Sequence, residues 1–472
     1  MSHSQCFSRL QGIIMTEKIK TDLLVIGAGA GGLSIAAGAA QLGVKVVLLE
    51  GDKMGGDCLN YGCVPSKALI AFSNQKKSKQ FIEAMSFVRE AIKEIEPHDS
   101  EERFRSLGVN VIREYGRFIN AKTVAAGDYE IRSRRIVIAT GVHTSIPDVS
   151  GLSDISYHTN QTIFDLAQKP EHLLVLGGGP VGVELAQAFT RIGVKVTILE
   201  KQKILSNFNS EQVEILRSNL LADGVVLKEG VSIEEFSQVG NKLIVQLESG
   251  EKITGSDLLV ATGKKPNLKR LNLNVAGIHF SDKGIETDEY LRTKNRKIYA
   301  IGDVAQFENF TNIANYHAGI VLKSITTGLK TSAQKEIQPR VIYTTPEIGS
   351  VGLSKAQATK KYGDKLKVSR VNFSDNDRAI TDDKKLGWIE IYIHRNLVVG
   401  ASVIGIGASE LLNFWSFIIS NRISIYKVAK TSFAYPTLGE VNKKLVTNYI
   451  GPKIFKNRGI RNFVQLTQRY LP

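Results

Sequence analysis

The stretch GGDCLNYGCVPSK, Gly55 to Lys67, sets Cys58 and Cys63 five positions apart just beyond a glycine-rich segment. In a regular α-helix, residues at that spacing have Cα atoms about 8 to 9 Å apart, beyond the usual reach of a disulfide. A bridge between them therefore needs a bent backbone. Gly62 permits the bend, and Pro65 suits the first turn of a following helix, where its missing N–H goes unused. Cys63 then falls near a helix N-terminus, where the dipole favours thiolate and a strained bridge is easier to reduce. A structural disulfide or half of a metal site fits less well. The 472 residues include three cysteines, too few for a tetrahedral cysteine cluster, and a chain of that length buries a core without covalent staples. Cys6 stands apart, ahead of a second candidate start at Met15, and is read as incidental. Few cysteines and no secretory h-region point to the cytoplasm, where a disulfide is more often catalytic than structural.

The segment before the pair reads LLVIGAGAGGLSIAAGAAQLGVKVVLLE, with Gly27, Gly29 and Gly32 after an apolar strand and Glu50 closing the next. The first glycine turns strand into helix, the second lets the backbone approach a pyrophosphate, and the third lets helix pack on strand. The pyrophosphate takes the helix N-terminus, and Glu50 can accept hydrogen bonds from a ribose. Leu23 to Val44 carries no charge and is long enough to span a bilayer, but its glycines and the closing acid favour the nucleotide fold. The pattern returns as LLVLGGGPVGVELAQAFTRIGVKVTILE, where Gly177, Gly179, Gly182 and Glu200 each lie 150 positions after their counterparts. One fingerprint is a weak signal; two in register define two dinucleotide-binding domains, so that one nucleotide can reduce the other. Glu200 favours a free 2′-hydroxyl and hence NADH, while Lys201 and Lys203 could accommodate the 2′-phosphate of NADPH.

Motif by motif, the chain resembles the class I pyridine nucleotide-disulfide oxidoreductases, the family of dihydrolipoamide dehydrogenase, glutathione reductase and mercuric reductase. The resemblance runs through RIVIATG (135–141), LLVATGKKPN (258–267), IYAIGDVA (298–305) and VIYTTPEIGSVGLS (341–354). It implies an α/β fold of two Rossmann-type domains, for FAD and NAD(P), with a C-terminal α+β dimerisation domain. The flavin domain would take residues 1–150 and 269–335, the nicotinamide domain 151–268, and the dimerisation domain 336–472. A homodimer is implied, in which NAD(P)H reduces the flavin and the flavin opens a Cys58–Cys63 bridge. On this resemblance Cys63 is the charge-transfer thiolate and Cys58, farther out, meets the substrate. Asp303 binds the ribityl chain with Gly302 allowing close approach, Gly141 serves the flavin side and Gly263 the nicotinamide side. Lys67 lies beside flavin N5 and pairs with Glu184; its place one helical turn after Cys63 lets cation and sulfur face one ring.

The C-terminal motif departs from the best-known members. Dihydrolipoamide and glutathione reductase types carry histidine before Pro-Thr and a glutamate five positions on; here SFAYPTLGE puts Tyr435 in the histidine's place and keeps Glu440. A phenol, with an unperturbed pKa of about 10, is a poor proton shuttle at neutral pH beside imidazole near about 6.5. Tyrosine here is similar to mercuric reductases, yet those carry a C-terminal cysteine pair and this chain has no cysteine after Cys63. The expected acceptor is a metal ion such as Hg(II), bound transiently at Cys58 and Cys63, or a disulfide; no structural metal is expected. Tyr435 serves equally well as a packing residue at the dimer interface. The alternatives are a dihydrolipoamide dehydrogenase with an unusual acid-base residue, and a non-enzymatic redox-switch flavoprotein.

The formal net charge is +15, and residues 441–472 hold seven basic side chains (Lys443, Lys444, Lys453, Lys456, Arg458, Arg461, Arg469) and no acid. Ile460, Phe463, Val464 and Leu471 recur at helical spacing in the same tail, which suits either an anionic membrane surface or packing on its own dimer. No recognised module or aromatic platform points to nucleic acid.

Overall fold

In a computed structural model, which describes residues 17–75, 80–240, 242–306, 311–334 and 337–471, the uncharged run from Leu23 divides at its glycines into the end of a strand, Glu17–Ile26, and a helix, Ala30–Gln41. No helix among the described residues is long and apolar enough to cross a membrane. Cys6 and Met15 lie outside the described residues.

The chain forms two units. The first comprises Met1–Asn60, Ile95–His143 and Lys265–Ala333. Its parallel strands run in the order Asn110–Ile112, Val46–Leu49, Glu17–Ile26, Tyr129–Ile138, Ile298–Ala300. Val46–Leu49 is buried throughout, as expected of a parallel strand covered on both faces. The early part of Tyr129–Ile138 also pairs antiparallel with Thr123–Ala126, which leads on to Arg117–Asn120. Helix Ala30–Gln41 lies so close to helix Thr311–Thr327 that a Cβ on Gly31 would meet the Ala314 Cβ at 3.2 Å.

The second unit comprises Tyr61–Glu94, Thr144–Lys264 and Gln334–Pro472. Its parallel strands are Val226–Glu229, Lys195–Glu200, His172–Leu176 and Asp257–Val260, accompanied by the antiparallel meander Ile233–Val239, Lys242–Leu247, Lys252–Gly255. The helices Cys63–Ser73 and Phe81–Ile95, counted by sequence within residues 1–150, take their apolar neighbours here. The reason is packing: Leu69, Phe72, Phe81 and Met85 share one core with Phe189 and Ile192, and the rings of Phe81 and Phe189 stack at 6.4 Å. The C-terminal part is an antiparallel sheet ordered Arg340–Ile342, Glu347–Gly352, Leu397–Gly405, Trp388–His394, Lys367–Asn372. Helices Ala408–Ser420 and Glu440–Phe455 contribute Leu412, Trp415 and Leu445 to its core, where the buried Trp415 Nε1–H donates to Asn442 Oδ1 at 2.8 Å. That bond removes the penalty of burying an unmatched indole N–H.

Candidate active site

The two fingerprints repeat at the level of atoms. Gly27 and Gly177 hold φ at +103° and +110°, and a Cβ on either would lie 2.5 Å from a carbonyl oxygen, that of Ala139 or of Ala261. A Cβ on Gly32 or Gly182 would strike the carbonyl of the first glycine of its own motif at 1.9 or 2.0 Å. The middle glycines differ. A Cβ on Gly29 would approach only the Gly56 Cα, at 4.0 Å, and one on Gly179 would meet nothing within 4 Å. Each middle glycine caps a helix, Ala30–Gln41 or Pro180–Arg191, with no side-chain cap and no acid in the first turn. Open space therefore lies over amide donors at a positive dipole end, the chemistry a pyrophosphate needs.

The closing acids repeat as well. Glu50 Oε2 accepts the Ala28 N–H at 2.7 Å and Oε1 that of Asp52 at 2.8 Å; Glu200 accepts from Gly178 at 2.6 Å and from Gln202 at 2.8 Å. Both carboxylates are thereby held beside the glycine turn with lone pairs to spare for a ribose. Burial pushes the Glu50 carboxyl above its usual range, against the pull of its two backbone donors. In the first unit Gly302 takes φ +66° at the start of the turn Gly302–Val304, which carries Asp303, and Gly141 takes φ +62°. In the second, Gly263 takes φ +122°. The residues of each cradle fit a dinucleotide.

Cys58 sits in the short helix Gly56–Asn60, and Cys63 opens the helix Cys63–Ser73; both side chains are half-buried. Gly62, the N-cap of the second helix, holds φ −126° and ψ −104°, a non-helical conformation outside the left-handed region. Pro65 is the third helical residue, within the first turn where amide donors have no intrahelical partner. One turn on from Cys63, Lys67 Nζ donates to Glu184 Oε2 at 2.9 Å, on a side chain about a third exposed against a Glu184 side chain only 5% exposed. The other Glu184 oxygen accepts the Tyr343 N–H at 2.9 Å, and the Tyr343 ring lies 4.4 Å from Lys67 Nζ. Burial pulls the Lys67 ammonium down, but the Glu184 carboxylate and the neighbouring Cys63 outweigh it and hold the lysine above its usual value. Burial likewise pushes the Tyr343 phenol up, with Lys67 opposing. The result is a fixed cation one turn from Cys63. Sequence reasoning named Lys67, Glu184 and Cys63 but missed Tyr343, although it lies in the quoted VIYTTPEIGSVGLS segment.

The C-terminal motif is exposed in the single chain. Tyr435 is 68% exposed, and its hydroxyl donates to Asp377 Oδ2 at 2.9 Å rather than to Glu440. Asp377 is a second residue sequence reasoning missed. Its hydrogen bond and negative charge raise the Tyr435 phenol above its ordinary value. Glu440 opens the helix Glu440–Phe455, a favourable place for a negative charge. Among the described residues, no group of three or more His, Cys, Asp or Glu side chains is arranged to hold a metal ion.

A dinucleotide cradle in each unit, cysteines on either side of Gly62 and a lysine–carboxylate clamp fit a flavin-dependent pyridine nucleotide oxidoreductase. Residues 21–321 match the pyridine nucleotide-disulphide oxidoreductase family and residues 338–446 its dimerisation domain, and the chain belongs to that family. It is 29% identical over 455 residues to a mercuric reductase of Lysinibacillus sphaericus, covering 92% of this chain and 83% of that protein. It is 31% identical over 459 residues to a dihydrolipoyl dehydrogenase of Staphylococcus aureus, covering 92% and 97%. Among solved structures it resembles the Cu(II) complex of the HOCl-induced flavoprotein disulfide reductase RclA from Escherichia coli, with a TM-score of 0.84 and 25% identity over 90% of this chain and 99% of that one. The protein is therefore an enzyme that uses FAD and NAD(P)H, with a domain built for homodimer formation, and the non-enzymatic switch is set aside.

Proposed function

We propose that the enzyme passes two electrons from NAD(P)H, with NADH preferred, through a Cys58–Cys63 disulfide to a soft metal ion. The bound flavin supplies the two-electron relay between nicotinamide and disulfide. The protein's own part is to hold and polarise the sulfurs. As the S–S bond breaks, two electrons leave two thiolate sulfurs; Cys63 is stabilised by its helix N-terminus and by Lys67, while Cys58 meets the acceptor. Thiolates bind soft ions such as Hg(II) avidly, and two electrons take Hg(II) to Hg(0) while NAD(P)H becomes NAD(P)⁺ and one proton is released. The setting is the cytoplasm, where a labile disulfide can cycle.

The observation that carries this reading is Tyr435 in the place of the acid-base histidine, bound to a carboxylate that makes its phenol still less acidic. Dithiol–disulfide exchange needs a proton carrier near neutrality; metal capture by thiolates does not. The mercuric reductase relatives and the Cu(II)-complexed structural neighbour support the same choice. An acceptor panel on purified protein tests it: Hg(II), Cu(II), lipoamide, glutathione disulfide, quinone and oxygen, each with NADH and NADPH. Turnover should be fastest with a soft metal ion. Fast lipoamide turnover with slow metal turnover would favour a dihydrolipoamide dehydrogenase instead.

A further inference from the structure

The matched dimerisation domain ends at residue 446, and the chain continues into a terminal helix, Arg458–Tyr470, that the catalytic reading does not use. Its start is fixed by Asn457, whose side chain accepts the Ile460 N–H at 3.2 Å. None of its residues is buried. At the helical turn of about 100° per residue, Ile460, Phe463, Val464 and Thr467 fall on one face, with Tyr470 and Leu471 at its end. The opposite face carries Arg458, Arg461 and Arg469 with Asn462, Gln465 and Gln468. The apolar face stands open: Phe463 is 65%, Val464 48% and Tyr470 79% exposed. A helix this sharply divided is stable only when its apolar stripe is covered.

We propose that this helix lies in the surface of an anionic lipid bilayer, apolar side chains in the acyl boundary and arginines among the headgroups. Charge decides between the candidate covers. The tail from 441 to 472 has seven cations and no acid, so apposing the tails of two copies would bring like charges together with nothing in either tail to offset them. Phosphate headgroups neutralise those same charges, and Tyr470 suits the boundary because its ring is apolar and its hydroxyl polar. The enzyme is on this account a peripheral membrane protein, held reversibly, whatever its acceptor.

The test uses full-length, flavin-loaded protein sedimented with vesicles of phosphatidylcholine alone or mixed with phosphatidylglycerol. Binding to the mixed vesicles should be strong at low salt, fall severalfold at high salt, and be weak to phosphatidylcholine. Phe463→Asp should abolish it. The combined change of Arg458, Arg461 and Arg469 to Gln should weaken it by at least about tenfold, since each surface cation contributes roughly fivefold. Both variants should keep flavin content, NADH-driven flavin reduction and dimer mass. If Phe463→Asp loses its flavin, the arginine variant decides alone. Three results overturn the proposal: no binding of the full chain to mixed vesicles at low salt, binding indifferent to the variants, or a Phe463→Asp protein that falls to monomers, which would assign the face to a second copy.

Discussion

Lys67 and Glu184 lie 117 residues apart in the chain and meet at 2.9 Å, tying the helix that starts at Cys63 to the helix of the second fingerprint. The contact orients the cation and also neutralises a carboxylate whose side chain is 5% exposed. Among the described residues, removing the lysine leaves that carboxylate the Tyr343 N–H as its remaining partner. Lys67→Met should therefore destabilise the protein by about 2 kcal/mol in urea unfolding, less than for a fully buried pair because water reaches the Lys67 side chain. Lys67→Met with Glu184→Met should recover much of that loss. A double variant whose loss equals the sum of the separate Lys67→Met and Glu184→Met losses would show that the pair is not energetically coupled.

The positions of the two sulfurs predict different spectra. Partial reduction should give a long-wavelength charge-transfer band, because a Cys63 thiolate is held by its helix N-terminus and by Lys67. Cys63→Ser should abolish the band, and Cys58→Ser should leave it. Two single variants that both keep the full band would show that the assignment of the sulfurs is wrong.

Glu200 predicts the nicotinamide preference. Its carboxylate is pinned by the Gly178 and Gln202 amides at the end of its strand, where a 2′-phosphate would meet a fixed negative charge. NADH should reduce the flavin faster than NADPH at equal concentration in stopped flow, and Glu200→Ala should narrow the gap. A wild-type preference for NADPH would mean that Lys201 and Lys203 dominate.

What the sequence made legible was what local sterics demand. Gly32 can be named from spacing because a Cβ there collides with the carbonyl of Gly27 in the same motif, and Gly182 repeats the demand against Gly177; Gly27 and Gly177 carry a positive φ at the strand-to-helix turn. The helix start at Cys63 was legible because Gly62 before it and Pro65 in its first turn are local signals. Tyr343 was not, because its value lies in meeting Glu184 from 159 residues away. Asp377 was hidden for the same reason, 58 residues from Tyr435. The allegiance of helices Cys63–Ser73 and Phe81–Ile95 also depends on tertiary packing, since Leu69 and Phe81 would suit any apolar neighbour.

Tyr435 carries the most consequential prediction. Its hydrogen bond to Asp377, and that carboxylate's charge, raise the phenol above its ordinary range, so it holds its proton near pH 7 and cannot shuttle one. Wild-type turnover with lipoamide or glutathione disulfide should be slow even where NADH reduces the flavin quickly, since general acid-base help is worth about 10² to 10⁴ in rate. Asp377→Asn removes the charge that raises the phenol, so any alkaline limb in disulfide turnover that depends on Tyr435 should move to lower pH. Tyr435→His, with Glu440 retained, should raise disulfide turnover by at least about tenfold and give it an optimum near neutrality, because imidazole titrates there. Flavin reduction by NADH should change little in either variant, as that step does not draw on the C-terminal motif. Rapid disulfide turnover by the unmodified enzyme would remove the case for a metal acceptor and return the chain to dihydrolipoamide chemistry.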